Sequence, residues 1–273
     1  MKKIILFTFL SIILVNCNQN KPYKTLKTIK NKSTNSSSLF SLISNEKTTF
    51  DFKNNVEETS DLNFLNFGNI YNGGGVAIGD INNDGLSDIY FSANQESNRL
   101  YLNKGNMQFE DITEKAGVAG TGNWSTGVSM ADLNADGWLD IYVVNYVEEG
   151  ILAEDEMGEP VFAHIPQDNY LYINNGDNTF RDATLEFGLD QMNSFSTGVC
   201  FGDFNADGYP DAYVGNYFQD YTGPLDEIND ATMVNANNTA QGFLLLNQKG
   251  KRFKNVYKDY GMNHKGFGFG GLF

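Results

Sequence analysis

Three nine-residue segments carry the side chains best suited to chemistry: Asp80-Ile-Asn-Asn-Asp-Gly-Leu-Ser-Asp88, Asp132-Leu-Asn-Ala-Asp-Gly-Trp-Leu-Asp140 and Asp203-Phe-Asn-Ala-Asp-Gly-Tyr-Pro-Asp211. Each follows Asp-x-Asn-x-Asp-Gly-x-x-Asp, with side-chain oxygens at the first, third, fifth and ninth positions. Alternate positions of a curled loop aim their oxygens at one point, and calcium takes about six to eight hard oxygen ligands. The first loop would supply Asp80, Asn82, Asp84, the Leu86 carbonyl and Asp88. The second would supply Asp132, Asn134, Asp136, the Trp138 carbonyl and Asp140, and the third Asp203, Asn205, Asp207, the Tyr209 carbonyl and Asp211. Glycine at the sixth position permits the sharp turn. No His or Cys stands in the loops to attract zinc. About three calcium ions are therefore expected, in a structural role that offsets repulsion among the loop carboxylates. The competing reading is solvated Asp/Asn/Gly turns without metal. EF-hand loops are a poor match, because they require their last acid at about position twelve.

A second motif recurs in the same order: Leu100-Tyr-Leu-Asn103 leading to Phe109, Leu171-Tyr-Ile-Asn174 to Phe180, and Leu244-Leu-Leu-Asn247 to Phe253. Two signals sharing one order define one repeating unit. Each unit reads as four short strands. The first ends at the acidic loop and the second leaves it. The third and fourth form a hairpin around Asn103-Lys-Gly-Asn106, Asn174-Asn-Gly-Asp177 or Asn247-Gln-Lys-Gly250, where Asn and Gly supply positive φ. The fold class expected is all-β, a β-propeller of four-stranded antiparallel blades with about three blades present. A solenoid is the alternative.

The acidic loops, the Tyr71-Asn-Gly-Gly-Gly-Val-Ala-Ile-Gly-Asp80 run and the Asn98-Arg-Leu-Tyr-Leu-Asn103 strand resemble the FG-GAP/VCBS repeat family. Within it the chain is similar to bacterial lipoproteins related to the cartilage acidic protein and ASPIC/UnbV group. The resemblance covers residues 39–273 and implies a propeller of about seven blades, calcium in the acidic loops, and extracellular binding or adhesion. Three units fall short of that ring. Gly266-Phe-Gly-Phe-Gly-Gly-Leu-Phe273 resembles the first strand of a further unit, and Thr49-Phe-Asp-Phe52 resembles a fourth strand with Phe50 matching Phe109. The expectation is a piece of a longer, seven-bladed protein.

The N-terminal end reads as a sorting signal. Met1-Lys2-Lys3 and the apolar run Ile4 to Val15 have the form of a signal peptide. Leu14-Val15-Asn16-Cys17 resembles a bacterial lipobox, although Asn16 departs from the usual small residue. Residues 1–17 are thus expected to be a lipoprotein signal with Cys17 lipidated, residues 18–45 a Lys/Asn/Ser tether, and residues 46–273 the blades. An exported outer-membrane lipoprotein on the surface or periplasmic face follows. The chain carries a net charge of −15, and the first 45 residues hold seven Lys and no acid, which leaves 12 basic and 34 acidic residues after them. A body that acidic repels phosphate backbones, so nucleic acid is excluded as a partner. With Cys17 lipidated, Cys200 stands alone and no disulfide framework exists.

No catalytic arrangement is legible. Neither His164 nor His264 has a partner pattern, and Gly73-Gly-Gly75 enters a strand, so it is no phosphate cradle. The expected function is a calcium-binding adhesion or binding module without catalysis, with a protein or glycan ligand. The alternative is the propeller part of a polysaccharide-processing enzyme or accessory protein. The long connections Glu148 to Asp168 and Gln219 to Ala240 lie on the face opposite the acidic loops, where such a ligand would bind.

Overall fold

The strand pattern folds as three four-stranded antiparallel sheets in a computed structural model, which describes residues 40–60, 62–65, 69–120, 124–146, the backbone of 151–154 and 160–163, 167–190, 192, 195–217, 240–264, 268 and 271. Cys17 and His164 lie outside the described residues. The compact unit that holds the sheets spans Ile43–Phe273, three residues earlier than the sequence suggests.

The first blade is β1 (Val76–Gly79), β2 (Asp88–Phe91), β3 (Arg99–Asn103) and β4 (Phe109–Asp111), paired in that order. In the second, β5 (Ser125–Ala131) pairs with β6 (Asp140–Asn145), which pairs with β9 (Tyr170–Asn174) and then β10 (Phe180–Asp182). Between β6 and β9 the chain forms a separate hairpin, β7 (Ile151–Glu154) with β8 (Pro160–Ala163), inside the connection read as an insertion. The third blade is β11 (Ser196–Gly202), β12 (Asp211–Asn216), β13 (Phe243–Asn247) and β14 (Phe253–Asn255). The three-to-four turns use left-handed Gly105, Gly176 and Gly250, as the Asn/Gly clusters require. These are propeller blades, and the three sheets do not close into a ring.

The apolar pattern along β6 shows what holds the blades together. All six of its residues are buried. Ile141 and Val143 pack with Tyr90, Leu100 and Leu102 of the first blade. Tyr142 and Val144 pack with Val214, Leu245 and Phe253 of the third. A strand covered on both faces reads as a continuous apolar run, whereas β2, at the end of the stack, alternates buried and half-buried. Each fully buried side chain of this size contributes about 1.5–3 kcal/mol, so the blades cohere mainly through these interfaces.

The innermost strands approach too closely for side chains at one position. A Cβ on Gly75 would stand 2.8 Å from the Gly127 Cα, and one on Gly127 would stand 3.2 Å from the Thr197 carbonyl oxygen. Glycine at the start of each motif therefore lets β1, β5 and β11 stack edge to edge.

A short turn follows each fourth strand and ends in a left-handed residue. After β4 comes the helical turn α2 (Thr113–Ala116), with Gly117 at φ 76°; Gly188 (φ 72°) and Gly261 (φ 71°) close the matching turns of the later blades. The first two of these turns seat against the next blade's fourth strand. The Phe253 N–H donates to the Phe187 carbonyl at 2.9 Å, and a Cβ on Gly117 would lie 3.6 Å from the Phe180 carbonyl oxygen.

This corrects the expectation for Thr49-Phe-Asp-Phe52, which is not a strand. The helical turn α1 (Asn45–Thr48) precedes it and ends at left-handed Thr49 (φ 61°). Asn45-Glu-Lys-Thr-Thr-Phe50 shares with Thr113-Glu-Lys-Ala-Gly-Val118 a four-residue helical turn followed by a left-handed residue, so Phe50 corresponds to Val118 and not to Phe109. Thr49 Oγ1 donates to the Phe109 carbonyl, and Phe50 stacks on Phe109 with ring centroids 4.6 Å apart. Phe52 stacks on Phe91 at 5.1 Å. Together they cover part of the first blade's outer face, where Val76 and Ile78 stay 55% and 65% exposed. The matching Val128 and Met130 of β5 are packed against the first blade.

Candidate metal centre

Each acidic loop joins the end of a first strand to the start of a second, and all three curl alike. In the middle loop, Asp132 Oδ1 accepts the Asp136 N–H at 3.0 Å and Oδ2 accepts the Gly137 N–H at 2.9 Å. Asn134 Oδ1 also accepts the Asp136 N–H, at 3.1 Å, and its amide donates to Asp136 Oδ2 at 2.8 Å. Asp136 Oδ1 accepts the Trp138 N–H at 2.9 Å. The same bonds recur around Asp80, Asn82, Asp84 and Leu86 and around Asp203, Asn205, Asp207 and Tyr209. Gly85, Gly137 and Gly208 all take φ between 85° and 92°, which L side chains rarely adopt. The oxygens at the first, third and fifth positions thus sit on the inside of one tight turn.

The ninth residue does something the spacing alone does not reveal. Asp88, Asp140 and Asp211 are fully buried at the start of β2, β6 and β12. Both oxygens of each hold main-chain donors. Asp140 Oδ2 accepts the Leu133 N–H at 2.8 Å and Oδ1 the Asn174 N–H at 2.9 Å. Asp88 takes Ile81 and Asn103 at 2.9 and 2.7 Å, and Asp211 takes Phe204 and Asn247 at 3.1 and 2.7 Å. The ninth carboxylate therefore ties the loop to the end of the third strand. Among the described residues, no three Asp, Glu, His or Cys side chains already converge as an ion would require.

The asparagine that closes each third strand extends these ties between blades. Asn174 Nδ2 donates to the Leu139 carbonyl of its own blade at 3.0 Å and to the Ile81 carbonyl of the first blade at 2.8 Å. Asn247 repeats this with Pro210 at 2.9 Å and Leu133 at 2.8 Å. Ile81 and Leu133 are the second residues of their loops, and their N–H groups are those held by Asp88 and Asp140. One hydrogen-bonded path thus runs Asp88, Ile81, Asn174, Asp140, Leu133, Asn247, Asp211. Sequence reasoning placed these asparagines only in hairpin turns; their recurrence at the end of Leu-Tyr-Leu-Asn was the available signal.

Burial pushes the carboxyl of Asp140 up to about 7; its two N–H partners pull the other way, and Asp136 and Asp132 add repulsion. Asp88 and Asp211 are raised for the same first cause. By donor type the loops fit calcium: every available ligand is a carboxylate, amide or carbonyl oxygen, and an oxygen that accepts one N–H keeps a second lone pair. Asp80, Asn82, Asp84 and their counterparts would hold the ion, and its positive charge would oppose the repulsion at the ninth carboxylate.

A family model described as FG-GAP-like repeat matches residues 80–143 and 159–214, a span that contains all three acidic loops. These are FG-GAP-like repeats. Such repeats form β-propeller blades, in agreement with the three sheets. The FG-GAP-like chain is similar to cartilage acidic protein 1 of Xenopus tropicalis, with 33% identity over 57% of this chain and 21% of that protein. The Homo sapiens cartilage acidic protein 1 is 26% identical over 52% of this chain and 30% of its own length. The chain thus spans less than a third of these curated relatives. An Agrocybe aegerita lectin that recognises non-reducing terminal N-acetylglucosamine overlays with a TM-score of 0.19 and 17% identity over 67% of this chain and 66% of the lectin, too slight a likeness to bear on fold or ligand.

Proposed function

We propose that this FG-GAP-like chain is an exported, lipid-anchored binding module whose acidic loops hold calcium as a structural ion, and that it engages a protein or glycan without catalysis. The observation that carries the calcium reading is one oxygen-only donor set repeated in one geometry three times. The ion would neutralise loop carboxylates that are otherwise crowded beside a buried one.

Thermal unfolding in EDTA and in excess calcium tests this. An ion that binds only the folded state adds about 2.7 kcal/mol per site at a hundredfold excess over its dissociation constant. For a domain of this size that raises the midpoint by roughly 5–10 °C per site. A midpoint indifferent to calcium would sink the reading.

The anchoring rests on the apolar run that stops at Cys17. Labelled palmitate should enter the protein expressed in a bacterial host, and Cys17→Ser should lose the label. Label retained in that variant would place the lipid elsewhere, and no label in the parent protein would refute the anchor.

A further inference from the structure

The end of the blades opposite the acidic loops contains a cavity of about 300 Å³, lined by Asn69, Asn72, Gly73, Trp124, Thr126, Tyr146 and Thr197. It lies where the innermost strands of the second and third blades begin, beside the segment that leads into β1. Its size is at the lower end of small-molecule sites, about 300–1,000 Å³, and suits a single ring-sized molecule.

The lining determines the chemistry of the occupant. In a chain with 34 acidic and 19 basic residues, none of the lining residues is charged. Among the described residues nothing there offsets the charge of a phosphate, a carboxylate or an ammonium ion. The polar groups are mostly acceptors toward the cavity. Thr126 Oγ1 gives its proton to the Ser196 carbonyl at 2.9 Å, and Thr197 Oγ1 gives its proton to main-chain carbonyls of Gly215 and Gly268. Both hydroxyl oxygens keep their lone pairs. Asn72 spends one N–H on Asn69 Oδ1 at 3.0 Å, which leaves its own Oδ1 and a second N–H. Asn69 Nδ2 in turn donates to Tyr146 Oη at 2.8 Å. Trp124 and Tyr146 are only 5% and 4% exposed, so little of either ring is open to the cavity. That disfavours a cation, which needs an open aromatic face.

An uncharged, acceptor-rich wall with a small share of aromatic surface matches a neutral molecule that carries several hydroxyl donors and C–H surfaces. An extended peptide is a worse match. It would add to a strand edge, and the inner edges are closed by the approach of Gly75 to Gly127 and of Gly127 to Thr197. The wall is also rigid. Ser125 and Ser196, next to the two threonines, donate to Asn145 and Asn216 at 2.8 and 2.9 Å, and Asn169 donates to Ser196 at 3.1 Å.

We infer that this cavity binds a pyranose unit of a neutral carbohydrate. The inference rests on the binding-module reading and names the ligand class for the face that reading assigns to a partner. The test uses the purified chain with a panel of methyl glycosides of glucose, galactose, mannose, xylose and N-acetylglucosamine, followed by saturation-transfer NMR. At least one glycoside should bind saturably. Asn72→Ala should weaken it about 2- to 10-fold, the worth of one or two neutral hydrogen bonds. Asn72→Trp, which fills the mouth from an exposed position, should abolish binding while the melting midpoint stays unchanged. No saturable glycoside, or binding indifferent to Asn72→Trp, overturns the inference. So does binding of tetramethylammonium or a neutral tripeptide in place of every glycoside. The calcium-dependent midpoint reports on the loops alone, so failure there and failure at this cavity are separable.

Discussion

In metal-free buffer, Asp140→Ala is expected to lower the free energy of unfolding by about 3 kcal/mol, because it leaves two buried N–H groups without acceptors. Those donors belong to Leu133 and Asn174, and both stand at fully buried positions or beside them. Asp140→Asn should recover little, since its amide nitrogen would face a donor where an acceptor is needed. Asp136→Ala provides the contrast. Its side chain is exposed, and its loss without calcium should cost no more than about 0.5 kcal/mol. In excess calcium the two converge, because Asp136→Ala removes an ion ligand. Urea denaturation in EDTA and in calcium measures all four values. Equal losses for the two alanine variants in EDTA would show that the ninth carboxylate is no structural tie.

The second large effect concerns the asparagines between blades. Asn174→Ala should cost about 3 kcal/mol, since the carbonyls of Ile81 and Leu139 lose their donor and the Gly176 N–H loses its acceptor. Asn103 occupies the same place in the first blade, but its amide reaches only the Ser87 carbonyl at 2.8 Å, with Oδ1 holding the Gly105 N–H. Asn103→Ala should therefore cost about 1 kcal/mol. The difference measures the inter-blade bond. Denaturation midpoints that fall equally in the two variants would mean that the span to Ile81 contributes nothing.

Much of this was legible before any coordinates. The acidic loops, the hairpin glycines and the strand order follow from local rules, because a period of two, an Asn-Gly turn and a left-handed glycine are specified within a few residues. The ninth aspartate was legible as a residue and not as a role. Spacing places Asp140 beside Asp136 along the chain, but only pairing of β6 with β9 brings it under the Asn174 N–H. The same limit explains Thr49 to Phe52. Phe50 and Phe109 look alike as letters, yet the left-handed Thr49 puts Phe50 at the end of a turn, stacked on the residue it was matched with. The cavity gave no signal at all, since its walls come from segments as far apart as Asn69 and Thr197.

The left-handed residues at 117, 188 and 261 recur with the spacing of the fourth-strand phenylalanines at 109, 180 and 253, out of phase with the acidic loops. The turns at 117 and 188 are each covalently part of one blade and sterically part of the next. A duplication or exchange that cut just ahead of an acidic loop would split strand one from strand two and leave a sheet without its inner edge. A cut just after the left-handed residue hands over a whole sheet together with the clasp that locks it onto its successor. The exchangeable module of this architecture is therefore offset from the motif by which it is recognised, and shuffled blades should be joined just after Gly117 and Gly188.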